Sequence, residues 1–318
     1  MSMPPPETTK PTWSWRAALW LIAVVVLLVG MYWSVGRYFV GRWVQREEYY
    51  HCLLVPVVLA WLLSRRWAEL RALPCYPYPR GLWLLGAGLL LYMVAVRVDI
   101  RVVIGVSFPV VLCGLILTAA GAQVFRLVGP IAALGFFLVP VPIHILAHVG
   151  MPLQRVCTLV GGVGGNLLGL QVIHEGVTLA LDGHSFVVAQ ACSGLNSLLA
   201  LMFTCCVVIV FVRMPLLRAT VVLGLLLPIV ILANSLRLVL VLLFARFGGA
   251  EFALGALTHG GSDAVIYIAT LGGVLLLVNL LSRGALLPPD GGDGDDAAGS
   301  SSCTAGTPEC GFAADGGH

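Results

Sequence analysis

The chain has 318 residues, of which 59% are hydrophobic and only 10% charged, with a net charge of +3. Soluble domains carry about 25% charged residues, and a mean hydropathy of +0.98 is too high for a water-soluble core; the composition is that of a multi-pass membrane protein. The small net charge and the lack of a basic stripe outside the apolar segments give no sign of a nucleic-acid-binding surface, and none is expected.

Residues 1–16 begin Pro-rich and polar and are expected to form a disordered cytoplasmic lead. The first apolar run, from Ala17, is long enough to stay as an anchor rather than be cleaved as a signal peptide. Residues 17–284 form the expected transmembrane domain, with eight candidate spans at 17–38, 50–63, 81–97, 102–120, 127–147, 195–212, 216–243 and 264–282. The second is short for a crossing, which takes about 20 residues, and it holds Pro56. Residues 148–171 are apolar but broken by glycines, and they read as an interfacial or re-entrant helix. Beyond them, Val177–Leu181 and Ser185–Val188 flank Asp182-Gly183, a favoured two-residue hairpin turn. An open hairpin cannot sit in lipid, so this one is expected in water or the interface, directly before a cysteine-bearing helix. Residues 285–318 are rich in Gly, Asp and Ser and are expected to be a disordered tail. The expected fold is thus an all-α polytopic membrane protein of about eight transmembrane helices with one short extracytoplasmic β-hairpin.

With the N-terminus in the cytoplasm, ten of the eighteen basic residues fall inside: Lys10, Arg16, Arg65, Arg66, Arg71, Arg80, Arg126, Arg213, Arg218 and Arg283. The densest short-loop cluster, "SRRWAELRALPCYPYPR", is among them. Glu47, Glu48 and Asp99 offset arginines on the other side. Both termini are therefore expected in the cytoplasm. The nine cysteines form no framework; Cys113, Cys157, Cys205 and Cys206 lie in apolar runs, and the lack of a CxxC pair argues against a zinc or iron–sulfur site.

Three polar residues converge on the outer side under this alternation. Cys192 stands in a polar cluster ("QACSGLN") just before the sixth span. Arg237 lies roughly 27 Å past Ala219 along the seventh, near its outer boundary. His259 lies in the outer loop before the eighth ("LTHGGSD"). An arginine within a span costs at least about 2.5–3.5 kcal/mol on insertion scales, so it has a partner or a task. Asn234, three residues earlier, shares its helix face. A guanidinium near a thiol favours the nucleophilic thiolate, and an imidazole exchanges protons near neutral pH. Each residue also has an ordinary reading: a packed thiol, an interfacial arginine, a loop histidine.

At these residues the chain resembles the exosortase/archaeosortase family, polytopic membrane cysteine enzymes thought to process C-terminal sorting signals of exported proteins. "YYHCLLVPVVLAWLLSRR" is similar to the family's early Tyr-x-His-Gly-x-Leu-Val-Pro segment, and "FFLVPVPIHILAHVGMPLQ" to its Pro-x-Pro region and following Leu-Gln. "VIHEGVTLAL" and "FVVAQACSGLNSL" are similar to its Glu-Gly stretch and Ala-Cys-Ser-Gly box, and "ANSLRLVLV" and "THGGSD" to its later Asn-x-x-Arg element and histidine. Order and spacing agree over roughly residues 45–282. The resemblance implies that Cys192 is the nucleophile, Arg237 the cationic partner and His259 the proton shuttle. Asn234, Ser193, His51 and Asp263 are expected to bind or orient substrate or catalytic groups. Cys52 departs from the family's glycine after the early histidine, which leaves the role of His51 open. Asp263, four residues after His259, suits either an orienting carboxylate or a helix N-terminal charge. His144 and His148 are spaced i, i+4 but lack an acidic partner, and no metal site is expected there. His174 and His184 sit near the expected hairpin, and lining a substrate entrance is the less favoured reading of them.

The resemblance implies a membrane cysteine peptidase or transpeptidase at the outer face of the plasma membrane, working without metal or organic cofactor. Its expected partners are the lipid bilayer, exported proteins ending in a motif, a transmembrane helix and a basic tail, and an amine acceptor on a lipid or glycan. A transporter, or a non-catalytic component of envelope polymer export, is the alternative.

Overall fold

A computed structural model describes residues 15–181, 184–187, 194–248 and 261–286. The lead up to residue 14, the tail from residue 287 and the Asp182-Gly183 turn lie outside the described residues. Nine α-helices are described: α1 Trp15–Gln45, α2 Tyr50–Arg65, α3 Trp67–Ala72, α4 Gly81–Val98, α5 Arg101–Ala133, α6 Ile143–Leu167, α7 Leu195–Val212, α8 Leu216–Gly248 and α9 Gly261–Leu286. Six stretches are long and apolar enough to cross a membrane: Ile22–Gln45, Gly81–Val98, Arg101–Leu138, Ile143–Leu167, Leu195–Val212 and Leu216–Phe247. Helix α2 and the Tyr267–Leu280 part of α9 are apolar but shorter. The protein is therefore a mostly helical, multi-pass membrane protein, with six full-length spans among the described residues where eight crossings were expected.

Lipid tails are as apolar as leucine, so helices in a bilayer associate through close packing. The α4–α5 pair shows how. A Cβ on Gly114 would lie 2.5 Å from the Leu85 nitrogen, and one on Gly88 would lie 2.9 Å from that of Val111. The helices are joined by Asp99 in a left-handed conformation (φ 54°), and the Ile100 amide donates back to the Ala95 carbonyl at 3.1 Å. Further along α5, Gly121 has φ 88° and ψ 178°, a backbone region open essentially to glycine. The helix kinks there and admits the extended 76–78 segment, whose Tyr78 amide donates to the Thr118 carbonyl at 3.1 Å.

The expected fifth span, 127–147, is not one helix. Helix α5 ends at Ala133, a 3-10 turn runs Leu134–Leu138, and an extended stretch leads through Pro140 and Pro142 into α6. Pro142 has no amide to give the Leu138 carbonyl four residues back, and Val141 lies outside both helices, so both carbonyls lack helical donors. Side chains replace them: Trp43 Nε1 donates to the Leu138 carbonyl at 3.1 Å, and the Tyr49 hydroxyl to the Val141 carbonyl at 2.5 Å. Of residues 148–171, read as a glycine-broken interfacial or re-entrant helix, 148–167 belong to α6, which is helical from Ile143 and long and apolar enough to cross a membrane. Its glycines form a contact face. A Cβ on Gly161 would lie 3.0 Å from the Leu238 Cβ, and one on Gly164 would lie 3.0 Å from Val239.

Three short strands follow α6: β1 Ile173–Glu175, β2 Thr178–Leu181 and β3 His184–Val187, antiparallel in the order β1-β2-β3. Leu181 stands opposite His184, and His174 opposite Leu179. Strand β1 is absent from the sequence reading, because three residues are too few to display a period of two. Asn166 fastens the sheet to α6, accepting from the Val172 amide at 2.8 Å and donating to its carbonyl at 3.0 Å. Leu179 and Leu181 join the main buried cluster, which also holds Tyr49, Cys52, Leu153, Cys157, Leu195 and Leu238. That cluster gathers the first turn of α2, α6, the start of α7 and the second half of α8 at the sheet end of the bundle. The opposite end carries α3 and the α7–α8 turn.

Candidate active site

Helix α8 is apolar over nearly its whole length. Asn234, Ser235 and Arg237 interrupt it, and all three are buried, with Arg237 only 6% exposed. A second polar series faces them on α6. Gln154, Cys157 and Thr158 are likewise buried. The Thr158 hydroxyl donates to the Gln154 carbonyl at 2.8 Å, and that of Ser235 to the Cys157 carbonyl at 3.3 Å. The Asn234 and Ser235 side chains bracket the Cys157 thiol. Apart from Ser107, every buried polar side chain among the described residues lies on α6 or α8. Unpartnered polar groups are costly in a bilayer, so such a concentration marks either an interhelical lock or a functional centre.

The α7 N-terminus closes on this seam. Gly194, in a left-handed conformation (φ 78°), precedes the helix and accepts from the Leu198 amide at 2.9 Å. A Cβ on it would lie 3.4 Å from both the Cβ and the Cγ of Asn234 and 3.2 Å from Val230. The small residue thus lets the helix start rest directly on Asn234, one turn before Arg237. Helix α9 runs alongside α7 and α8: Val274 and Val278 pack with Leu201, Cys205, Val222 and Leu226, and the Tyr267 hydroxyl meets the Thr204 side chain.

Of the sequence-predicted site residues, Asn234 and Arg237 stand on one buried face of α8. His51 is half-buried in the first turn of α2, with its Nε2 3.6 Å from the thiol of Cys52, which is 1% exposed. Cys192, Ser193, His259 and the Asp263 side chain lie outside the described residues; the Asp263 backbone belongs to α9. The His148 ring donates from Nδ1 to the His144 carbonyl at 2.6 Å, a within-helix contact. His174 is exposed on β1.

Sequence reasoning missed the α6 half of the seam. Gln154 and Thr158, four residues apart on an apolar helix, carried the signal. It was masked because the neighbouring glycines read as helix breakers rather than as a packing face.

No curated protein and no solved structure matches this chain. A family model described as transmembrane exosortase matches residues 43–276, roughly three-quarters of the sequence, including α2, the sheet, the start of α7 and the Asn234–Arg237 stretch of α8. The chain belongs to the transmembrane exosortase family.

Proposed function

We propose that this protein is a cysteine peptidase or transpeptidase that cleaves C-terminal sorting signals from exported proteins. The observation that carries the reading is the contact between Gly194 and Asn234, one turn from buried Arg237. Cys192 is two residues from Gly194, so covalent geometry keeps the two Cα atoms within about 7.6 Å. The same contact thus supports a thiol within side-chain reach of the guanidinium. His259 is two residues before α9. With about 1.5 Å of rise per residue, the contact between Tyr267 and Thr204 brings the first residues of α9 and α7 to within about 5 Å of each other in height, and His259 and Cys192 precede those two helix starts by two and three residues.

In the proposed reaction the Cys192 thiolate attacks the peptide carbonyl beside the sorting motif. The guanidinium of Arg237 steadies the negative charge of the tetrahedral intermediate. The carbon–nitrogen bond breaks, and the His259 imidazolium gives its proton to the departing amine. The resulting thioester is attacked by water or by an amine on a lipid or glycan, from which neutral His259 takes a proton, and the thiolate is released. Asn234 and Ser193 orient these groups, with His51 and Asp263 at the margin. The scheme needs no metal or organic cofactor. The arginine-rich α3 end (Arg65, Arg66, Arg71, Arg80, Arg126, Arg213 and Arg218) supports that end as cytoplasmic, with the site at the outer face of the plasma membrane and both termini inside.

The test is processing of a co-expressed exported protein ending in motif, transmembrane helix and basic tail. The parent is expected to shorten the substrate, and Cys192→Ala to leave it full length while still reaching the membrane. Hydroxylamine-sensitive linkage of the substrate to the parent identifies the thioester. Normal processing by Cys192→Ala would end the reading and leave the transporter alternative.

A further inference from the structure

At the α3 end, far from Arg237, lies a groove of about 810 Å³ between α2, α3, the second half of α5 and the α7–α8 turn. Leu62, Leu127, Ile131, Ile209 and Val210 form its apolar wall, and Arg66, Arg126 and Arg213 line its polar part with Gln123 and Glu69. Among the described residues Glu69 is the only acid in the lining, and it is already engaged. Arg66 Nη1 reaches its carboxylate at 3.2 Å, and the Arg213 guanidinium pairs with the other oxygen. Arg66 is further committed through Nη2 to the Phe211 carbonyl at 2.8 Å. Arg126 differs. It is exposed, and among the described residues its guanidinium has no hydrogen-bond or ion-pair partner. It stands on α5 just past the Gly121 kink, in the segment that the kink turns along the groove.

The lining therefore has two positive charges in excess, an uncommitted planar fork and an adjoining apolar wall. Its surroundings are those of a membrane interface. Trp61 stacks on Phe211 at 5.3 Å, and Arg71 lies 4.8 Å above the Trp67 ring. Arginine matches phosphate oxygens with two parallel hydrogen bonds. Basic pockets between transmembrane helices suit anionic headgroups, whereas a free anion would have no use for the apolar wall. A basic peptide tail would be repelled. We propose that this groove is a binding site for an anionic phospholipid, its phosphate held by Arg126 with Arg213 and an acyl chain lying along the partly buried Leu127, Ile209 and Val210.

The test is native mass spectrometry of the full chain in detergent with phosphatidylglycerol or phosphatidylcholine of identical chains. The parent is expected to retain phosphatidylglycerol in preference, and Arg126→Gln to lower its retention about tenfold, as loss of a charge-assisted bond predicts. Phosphatidylcholine retention should be unchanged. Gln123→Glu sets an acid beside Arg126 and should give the same loss without removing any contact of the fold. Arg71→Gln, outside the groove, should retain lipid like the parent. Equal retention of the two lipids, an unaffected Arg126→Gln, or an equal fall in Arg71→Gln would overturn the proposal. Displacement of the lipid by millimolar inorganic phosphate would make this a soluble-anion site and overturn it too.

Discussion

Arg237 concentrates the residue-scale question. A guanidinium that is 6% exposed on an apolar helix would be a poor choice for holding helices together, because Gln or Ser supplies interhelical hydrogen bonds without a buried charge. A charge is required where charge develops during a reaction. Arg237→Lys keeps the charge and loses the fork, whereas Arg237→Ala loses both. If Arg237 stabilises the oxyanion, Arg237→Ala should slow processing by about 10²–10³-fold, the usual result of removing one such donor. Arg237→Lys should fall between that variant and the parent. Quantitative immunoblotting of precursor and product over time checks the order. Equal rates in both variants and the parent would reduce Arg237 to a structural role.

At the scale of elements, glycine does two different things that look alike along the chain. Gly121 breaks a helix, because its φ of 88° is not helical and a Cβ there would overlap the Tyr76 carbonyl oxygen. Gly161 stays within α6 and lets α8 approach. A Gly161→Leu substitution should push the helices apart, at a cost of about 1–3 kcal/mol for overpacking. It should lower both the melting temperature in detergent and processing of the substrate. Gly86 on α4 has open space around it, so Gly86→Ala should leave melting unchanged or raise it, alanine being the better helix former by up to about 1 kcal/mol. Differential scanning fluorimetry of the two variants tests the contrast.

Helix α3 is tied to the α7–α8 turn by Glu69. Its pairing with Arg213, and then with Arg66, holds the carboxyl below the ordinary value of 4.5. A depressed carboxylate stabilises the fold above its unfolded-state pKa, and that contribution is lost as the pH falls through the folded value. Glu69→Gln should therefore melt slightly lower than the parent at neutral pH, and the gap should close as the pH drops below about 4.5. The group is exposed, so salt should narrow the gap as well. A gap that persisted unchanged into strong acid would remove the ion pair as its cause.

For the whole molecule, the two ends differ in kind. The α3 end carries the arginine cluster, Trp67, Tyr76 and Tyr78; the sheet end carries the Asn234–Arg237 seam. The proposed orientation sets the first inside. Cys75 is exposed at the α3 end, so a membrane-impermeant maleimide should label it only after permeabilisation, in a variant whose other cysteines are serine. A matching Cys192-only variant should label on intact cells. The reverse pattern would invert the topology.

The apolar runs, the basic cluster and the order of the motifs are local properties, and they were enough to identify a polytopic membrane chain and its family. A run of twenty apolar residues has few choices in lipid, since its backbone must satisfy itself. Other features depended on partners distant in sequence. The Val-Pro-Val-Pro break is tolerated because Trp43 and Tyr49 cap the freed carbonyls. The α6 glycines are a surface because α8 lies against them. Cys157, with buried Gln154 and Thr158 beside it on α6, meets Asn234 and Ser235 only once those helices are side by side. Helix formation follows from short-range hydrogen bonding, which neighbours along the chain encode. Which helix faces meet, and therefore which polar groups are buried together, is decided by packing between segments some eighty residues apart, and the tertiary structure alone reveals it.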